Sequence, residues 1–334
     1  MNATAAHPDD PCCGCAIITP VNAIELTWCV VNTAQRDRLR DCLDALLAEK
    51  QSLPFATEVI VLDNFSLDGS VEMAEAHPAT DRVIALKSRT GKAANDSALV
   101  RASRGRFCML LNEDAILRPG ATAAMRTALI GFPDAAAAGA RLLRTDLREQ
   151  PSAWRFPSWT TVLAGAVMLH NRVTVQSGGD LTKQVDWAQS AALLLDRERV
   201  LAVDCLDERY FVYSDETDLC RRLADRGWKT LHVPAAEAVH HEGLSTGASA
   251  HRRIVEFVRG RDRYLRTHLG AIHAIAMRPL IALPYLIRAG ASLLLPGHDA
   301  KRYLWHVSAS LRPDRGEGLR EAAEQFNRDH AAGS

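Results

Sequence analysis

The feature that most constrains the fold is a repeated alternation of apolar runs with segments of helical periodicity. Four runs have the composition of buried strands: "LTWCVVN" at 26–32, "EVIVLDN" at 58–64, "DRVIALK" at 81–87 and "RFCMLLNED" at 106–114. A segment such as "RDRLRDCLDALLAEK" at 36–50 repeats its leucines on one helical stripe. Buried strands joined by helices indicate a mostly parallel sheet with helices on both faces. The pattern therefore predicts a Rossmann-like α/β fold.

The alternation weakens along the chain and divides it into three parts. After residue 143 the sequence is loop-like, with a short strand "KTLHV" followed by the loop "PAAEAVHHEGLSTGAS", and from residue 249 helices dominate. We predict a leader at 1–25, an α/β domain at 26–248 and a helical, basic C-terminal extension at 249–334. Lys plus Arg equals Asp plus Glu at 40 each, so no global field favours a nucleic-acid partner.

Polar side chains follow two of the predicted strands. Asp63 and Asn64 end one of them, and Asn112, Glu113 and Asp114 end another. Ligands of such sheets bind at the carboxyl ends of the strands. Asp63 and Asn64 are suited to hydrogen bonds with a base or ribose. Carboxylates at a strand end suit a hard divalent cation, although an acidic turn explains them equally well.

Two further features carry candidate chemistry. His240 and His241 follow "KTLHV", and because successive residues of an extended segment point in opposite directions, we expect one of them to face a site as a metal ligand. A surface histidine pair is the alternative. Asp215, Glu216 and Asp218 crowd the start of the helix "DLCRRLADRGW". The helix dipole accounts for one or two of these acids. Three together predict a raised pKa and a general base acting on a hydroxyl.

The motifs, in this order, resemble family 2 glycosyltransferases, in particular bacterial rhamnosyltransferase-like members with the GT-A fold. The resemblance spans about residues 26–246. Six blocks carry it: "VVNTAQRDRLRDCLDALL", "EVIVLDNFSLDGS", "GRFCMLLNEDAILRPGA", "VDWAQSAALLLDRE", "LDERYFVYSDETDLCRRLADRGWK" and "VPAAEAVHHEGLST". Each block alone is moderately specific, whereas six in sequence make chance improbable.

The resemblance implies roles for individual residues. Glu216 or Asp215 would be the catalytic base, and Asp114 and His241 would hold a divalent metal, Mg²⁺ or Mn²⁺. The donor, a nucleoside-diphosphate sugar, would contact Asn32, Asp63, Asn64, Asp96, Asn112 and Glu113. The sugar and acceptor would lie near Asp186, Trp187 and Asp218.

The chain also departs from the family pattern. Thr33-Ala34 replaces a Tyr-Asn pair, Asp96-Ser97 an Asn-Asn pair, Ser190 a glycine, and the usual Glu-Asp order is inverted at 215 and 216. Two hypotheses follow: an inverting, metal-dependent transferase, and a weak or inactive nucleotide-sugar-binding scaffold with the same fold. A nucleotidyltransferase would need a glycine-rich triphosphate loop, for which Lys92 in "RTGKAAN" is the nearest candidate.

The C-terminal extension bears on the acceptor. Between residues 249 and 302, ten Arg and Lys residues face three acids. The apolar run within "RPLIALPYLIRAGASLLLP" is short for a bilayer span, so 271–296 is interpreted either as a helix lying on an anionic membrane or as a packed helical pair that supports a homodimer. We expect a sugar, rhamnose in the resembling members, to reach a glycan or lipid-linked acceptor of the cell envelope. No secretory segment is visible, which predicts a cytoplasmic protein, peripheral at the inner face of the plasma membrane.

Overall fold

A computed structural model describes residues 23–241, 250–292, 294 and 299–331. Most of the predicted leader and the predicted boundary at 248/249 lie outside these residues. The strands are β1 (Leu26–Asn32), β2 (Thr57–Asp63), β3 (Arg82–Ala85), β4 (Phe107–Asn112), β5 (Ala115–Leu117), β6 (Ala135–Leu143), β7 (Glu149–Gln150), β8 (Ala153–Trp154), β9 (Lys183–Val185), β10 (Trp187–Ala188), β11 (Ala192–Asp196) and β12 (Lys229–His240). The helices are α1 (Arg36–Ser52), α2 (Ser70–Ala76), α3 (Lys92–Ala102), α4 (Ala121–Gly131), α5 (Trp159–Ala166), α6 (His170–Thr174), α7 (Arg197–Leu201), α8 (Asp215–Asp225), α9 (Ala250–Leu269), α10 (Ala271–Ala291), α11 (Ala300–Leu311) and α12 (Leu319–His330).

The central sheet confirms the predicted α/β class. Its strand order is β3-β2-β1-β4-β11-β6-β12-β5. The first four strands are mutually parallel, β6 is parallel to β12, and β11 runs antiparallel between β4 and β6. The register pairs Asn32 with Asp63 and Val31 with Asn112, so the polar residues that end these strands share one edge of the sheet.

Apolar side chains fill both faces of the sheet. The predicted stripe of α1 buries Leu39, Leu43 and Leu46 on one face, each worth about 1.5–3 kcal/mol of apolar transfer. On the other face Leu219 of α8 and Tyr264 of α9 belong to the same buried cluster, so the C-terminal helices share the core of the sheet. The helical extension predicted from residue 249 is therefore integrated with the α/β part.

Glu49, on the last turns of α1, is buried although it is charged. Its two carboxylate oxygens accept hydrogen bonds from the backbone N–H groups of Gly120, at 2.6 Å, and Thr122, at 3.0 Å. These groups lie at the N-terminus of α4, which has no side-chain cap of its own. Glu49 thus satisfies donors that the helix cannot satisfy internally.

The sequence did not predict the short strands β5, β7 and β8, and two larger differences concern β6 and β12. The alanine-rich β6 was not recognised as a strand, because alanine favours helices when no tertiary contact intervenes. The predicted loop after "KTLHV" is wrong for its first part: β12 continues through Pro234 to His240, with a register shift between Val233 and Glu237. A bulge of this kind lets a strand pass a proline without breaking the sheet.

The apolar segment of the extension forms one continuous helix. Helix α10 contains Pro279 and Pro284 and contacts α5, α9 and α11. Among the described residues it is the one helix long and apolar enough to cross a membrane by length and composition, a criterion that core helices of soluble proteins also meet.

Candidate active site

Asn32 and Asp63 form a hydrogen-bonded pair at the carboxyl edge of the sheet. Asn32 Nδ2 donates to Asp63 Oδ2 at 2.8 Å, and the other Asp63 oxygen accepts from the Ser66 backbone N–H at 2.8 Å. Both residues are buried, and Asn32 Oδ1 accepts no hydrogen bond from any described residue. This pair shapes the turn after β2 and leaves one acceptor uncommitted.

Asn64 joins this turn to the segment that precedes α3. Its side-chain oxygen accepts from the Thr90 N–H at 2.8 Å, and its Nδ2 donates to the Thr90 carbonyl at 3.1 Å. The Asn64 side chain thereby bonds both backbone groups of Thr90, as a neighbouring strand would. Residues 89–92 are fixed against the sheet edge as a result.

Lys92 lies among Asp96, Ser190, Asp215, Glu216 and Glu113, and this group of side chains is the polar cluster. The sequence suggested Lys92 only as a triphosphate ligand. Its ammonium forms an ion pair with Asp96 and donates to Ser190 Oγ at 3.1 Å. Burial opposes its charge, but the carboxylates of Asp96, Asp215 and Glu216 outweigh that effect and raise its pKa. Burial raises the pKa of Asp96 to about 6 despite the opposing charge of Lys92. A charged lysine is therefore held among four polar side chains.

Asp215 and Glu216 begin helix α8, and the backbone of the two residues before them is strained. Tyr213 and Ser214 have φ values of 69° and 64°, a left-handed conformation that is costly for residues with side chains. Burial, followed by the neighbouring charge of Asp215, raises the pKa of Glu216 well above its ordinary range. Neither buried oxygen of Asp215 receives a hydrogen bond from the described part of the chain. Glu216 therefore has the raised pKa that three acids crowded at the start of a helix predict.

The second acidic group lies at the end of β4. Burial, then the charge of Asp114, raises the pKa of Glu113 to about 8. Asp114 Oδ1 is buried without a hydrogen-bond donor from the described residues and lies 3.4 Å from His240 Nε2. Such an uncommitted oxygen is what a divalent cation would satisfy, so Asp114 fits a metal site.

The two histidines take different positions. His240 is buried on β12 with its Nδ1 3.0 Å from Gln150 Nε2. His241 donates its backbone N–H to the Asp114 carbonyl, while its Nε2 lies 3.4 Å from Arg38 Nη1. One histidine of the pair does approach Asp114, and by side-chain distance it is His240. Within the described ranges no group of three or more His, Cys, Asp or Glu side chains has the arrangement of a metal site.

Lys92 links the two acidic groups. Its positive charge opposes the rise in pKa of both Glu113 and Glu216. Segments that are about a hundred residues apart in the sequence therefore share one electrostatic environment.

The remaining predicted residues have other partners. Asn112 is half-buried at the end of β4 on the same sheet edge. Asp186 accepts from the Phe156 N–H at 2.8 Å, and Trp187 stacks on Trp154 with ring centroids 4.6 Å apart. Asp218 accepts from His268 Nε2 at 2.8 Å and from Arg222 Nε at 2.7 Å. These contacts give Asp186 and Asp218 packing roles, and their roles at an acceptor stay predictions.

A separate open cleft of about 490 Å³ lies between α1 and α2. Arg36, Arg40, Glu72 and His77 line it, and it shares no residue with the polar cluster. Glu113 and Glu216, whose carboxyl pKa values are strongly raised, lie in the cluster, and such groups are what catalytic sites concentrate. We therefore assign the candidate site to the cluster and not to the cleft.

Known sequences resemble this chain over much of its length. Residues 25–256 match the family described as "Glycosyltransferase like family 2". The chain is 30% identical over 224 residues to the N-acetylglucosaminyl-diphospho-decaprenol L-rhamnosyltransferase of Mycobacterium tuberculosis, covering 59% of this chain and 71% of that relative. A stretch of 57 residues is 35% identical to the rhamnosyltransferase WbbL of Escherichia coli, covering 17% of this chain and 22% of that relative.

Solved structures share the fold at low sequence identity. The mannosyltransferase PcManGT of Pyrobaculum calidifontis, solved with GDP-Man and Mn²⁺, aligns with a TM-score of 0.53 at 15% identity over 92% of this chain and 84% of its own. S. aureus TarS, solved with UDP-GlcNAc, aligns with a TM-score of 0.53 at 11% identity over 91% of this chain and 84% of its own. Both likenesses concern the fold, which is of the GT-A kind.

Proposed function

The chain belongs to the glycosyltransferase-like family 2 and is a glycosyltransferase, and from that premise we propose that it transfers rhamnose, with inversion, from a nucleoside-diphosphate sugar to a hydroxyl of a lipid-linked glycan. The rhamnose assignment rests on the named rhamnosyltransferase relatives. The lipid-linked acceptor rests on the decaprenol-linked substrate in the name of one of them.

The observation that carries the proposal is the Asp215–Glu216 pair at the start of α8, where Asp215 is buried, Glu216 is half-buried and the charge of Lys92 opposes the raised pKa of Glu216. In the proposed reaction the ionised pair removes the proton of the acceptor hydroxyl as that oxygen attacks the anomeric carbon. The bond from that carbon to the diphosphate oxygen breaks, and its electron pair leaves with the diphosphate. A base with a raised pKa is suited to this step because it takes the proton readily near neutral pH.

The donor end would be formed by the sheet edge. Asn32, Asp63 and Asn64 shape the turn after β2, and the free Asn32 Oδ1 is an acceptor for a base or ribose. Asp114, with an imidazole nearby, would hold Mg²⁺ or Mn²⁺. When bound, such an ion neutralises charge on the departing diphosphate.

The decisive experiment is a transfer and hydrolysis assay with UDP-, GDP- and dTDP-sugars, each with Mn²⁺ or Mg²⁺. We expect Glu216→Gln to lose turnover while it retains donor binding, and Asp114→Asn to weaken metal-dependent binding. Glu208→Gln is the matched control, because Glu208 is an exposed acid that pairs with Arg101 ahead of α8. Donor binding by the wild-type protein without any turnover would instead favour the scaffold hypothesis. Unchanged rates in both site variants would refute the mechanism.

We also propose that the protein binds an anionic membrane surface through α5 and α10, at the cytoplasmic face. These helices contact each other, and both expose apolar side chains: Leu163, Val167, Ile272, Ile275, Leu286 and Ile287. Arg288 lies on the same helix as four of them. Exposed apolar residues beside cations are typical of interfacial helices.

Co-sedimentation with anionic vesicles tests this surface. Ile272→Asp with Ile275→Asp should abolish vesicle binding, whereas Leu181→Asp should not, since Leu181 is equally exposed on the loop before β9. Light scattering of the same variants addresses the homodimer. A wild-type dimer that ignores vesicles and dissociates in the double variant would replace the membrane proposal.

A further inference from the structure

Helix α12 contacts the candidate site although it lies far from it in sequence. Asn327 Oδ1 accepts from the Arg89 backbone N–H at 2.7 Å, and Asn327 Nδ2 donates to the Arg89 carbonyl at 2.9 Å. One amide side chain thus satisfies both backbone groups of a residue in the segment before α3. That segment leads through Thr90 and Gly91 directly to Lys92.

The aromatic side chain next to Asn327 extends the contact. The Arg89 guanidinium lies over the Phe326 ring at 3.4 Å from its centroid. Phe326 also meets Phe65 edge-on, with ring centroids 5.8 Å apart. Phe65 directly follows Asn64 and has a left-handed φ of 58°, so the turn after β2 is strained at this point. The helix therefore packs on both segments that Asn64 joins.

The N-terminal end of α12 holds a third segment. Arg320 Nη2 donates to the Arg209 carbonyl at 2.9 Å, and its guanidinium lies 5.5 Å from the Phe211 ring. The Phe211 carbonyl in turn accepts from the Lys92 N–H at 2.6 Å. The contact is tight, since a Cβ on Gly91 would lie 2.7 Å from that same carbonyl oxygen. Phe211 leads into the strained approach to Asp215.

We infer that α12 is a clasp that sets the position of Lys92 relative to the Asp215–Glu216 pair, with Asn327 and Arg320 as positioning residues. Asn327 holds the segment that carries Lys92, and Arg320 holds the segment that leads to the acidic pair. The inference rests on the proposed function only for its effect on catalysis. The clasp itself is a property of the fold and is tested separately.

Hydrogen–deuterium exchange tests the clasp without reference to activity. In Asn327→Ala the Arg89 amide loses its acceptor, and we expect exchange in the peptide covering 86–92 to be about tenfold faster, the effect of losing one or two hydrogen bonds. Gln325→Ala is the control, because Gln325 lies on the exposed side of the same helix and bonds Asp329. Asn327→Asp keeps the acceptor and should retain the protection. Equal exchange in Asn327→Ala and Gln325→Ala would overturn the inference.

Nucleotide binding tests the functional part. UDP, GDP and dTDP, each with Mn²⁺, serve as probes. We expect Asn327→Ala and Arg320→Ala to bind the best probe about tenfold more weakly, while each variant keeps the melting temperature of the wild type. Arg328→Ala is the control for Arg320, since Arg328 is exposed and donates to Gln325 of the same helix. If the wild-type protein binds no probe, the proposed function fails while the exchange result stands. If the variants bind as the wild type does, the clasp has no role at the site.

Discussion

Replacing Lys92 with methionine tests the electrostatics of the site most directly. The substitution keeps the length of the side chain but leaves the buried Asp96 without its cation, and the Lys92 and Asp96 side chains are only 20% and 2% exposed. Removing one partner of a buried pair costs about 3–5 kcal/mol, whereas exposed pairs cost about 0–1. Without Lys92, Asp96 can avoid this cost only by holding a proton.

The size of the effect should therefore depend on pH. The folded protein already holds the Asp96 proton more tightly than the unfolded chain, because its pKa is raised from 3.8 to about 6. Such a group lowers stability as the pH rises through that window. In Lys92→Met the free energy of unfolding continues to fall above pH 6, by up to ~1.36 kcal/mol per pH unit, or about 2.7 kcal/mol by pH 8. Near pH 5 the variant and the wild type should differ little from this cause.

Urea denaturation at pH 5 and pH 8 measures the difference. Lys92→Met should lose about 3 kcal/mol of unfolding free energy at pH 8 and much less at pH 5. The double variant Lys92→Met/Asp96→Asn should recover most of the loss at pH 8, because the Asp96 charge is no longer left without its partner. A loss below about 1 kcal/mol at pH 8, or one independent of pH, would refute the reasoning that the pair is buried.

Three further outcomes are expected. Glu216→Gln should lower transfer by about 10²–10⁴-fold and remove the rise of the wild-type rate with pH. We expect that rise because the raised pKa leaves the base ionised only at higher pH. An unchanged pH–rate profile would contradict this. Gly139→Ala would place a Cβ 2.4 Å from that of Ala188 and should cost about 1–3 kcal/mol by thermal denaturation, with recovery on adding Ala188→Gly. Glu49→Gln should cost about 1 kcal/mol in urea, since one of the two α4 donors loses its acceptor; equal stability would show that water replaces it.

The alternating pattern predicted β1, β2 and β4 because these strands are buried on both faces. Their sequences are largely apolar, and only a covered sheet can bury such runs. Strand β3 was also predicted, although it is partly exposed at the end of the sheet. Strand β6 is equally buried but is built of alanines. Its small side chains make room for β10, where Ala188 would collide with any side chain at Gly139. Local composition could not reveal that neighbour.

The candidate site was predictable in part for the same reason. Asp63 and Asp114 follow strands, so their place at the sheet edge could be inferred from position, whereas the Asp215–Glu216 pair was predicted from three acids crowded at the start of a helix. Lys92 carried no such signal, because its importance comes from three carboxylates, one on its own helix and two at the start of α8. The resemblance implied His241 as the partner of Asp114, whereas in the structure the His240 side chain is the nearer one. His240 ends β12, which continues past Pro234.

The sequence by itself determined the fold class and the family, and it predicted chemistry at the carboxyl edge of the sheet, because these depend on periodicity and on residue order along the chain. The tertiary structure decided which charges meet. Lys92 lies among the acids, His240 replaces His241 beside Asp114, and α12 reaches the segments before Lys92 and Asp215. Such encounters depend on packing between distant segments, and electrostatic energy in a buried site varies with distances that no local pattern encodes.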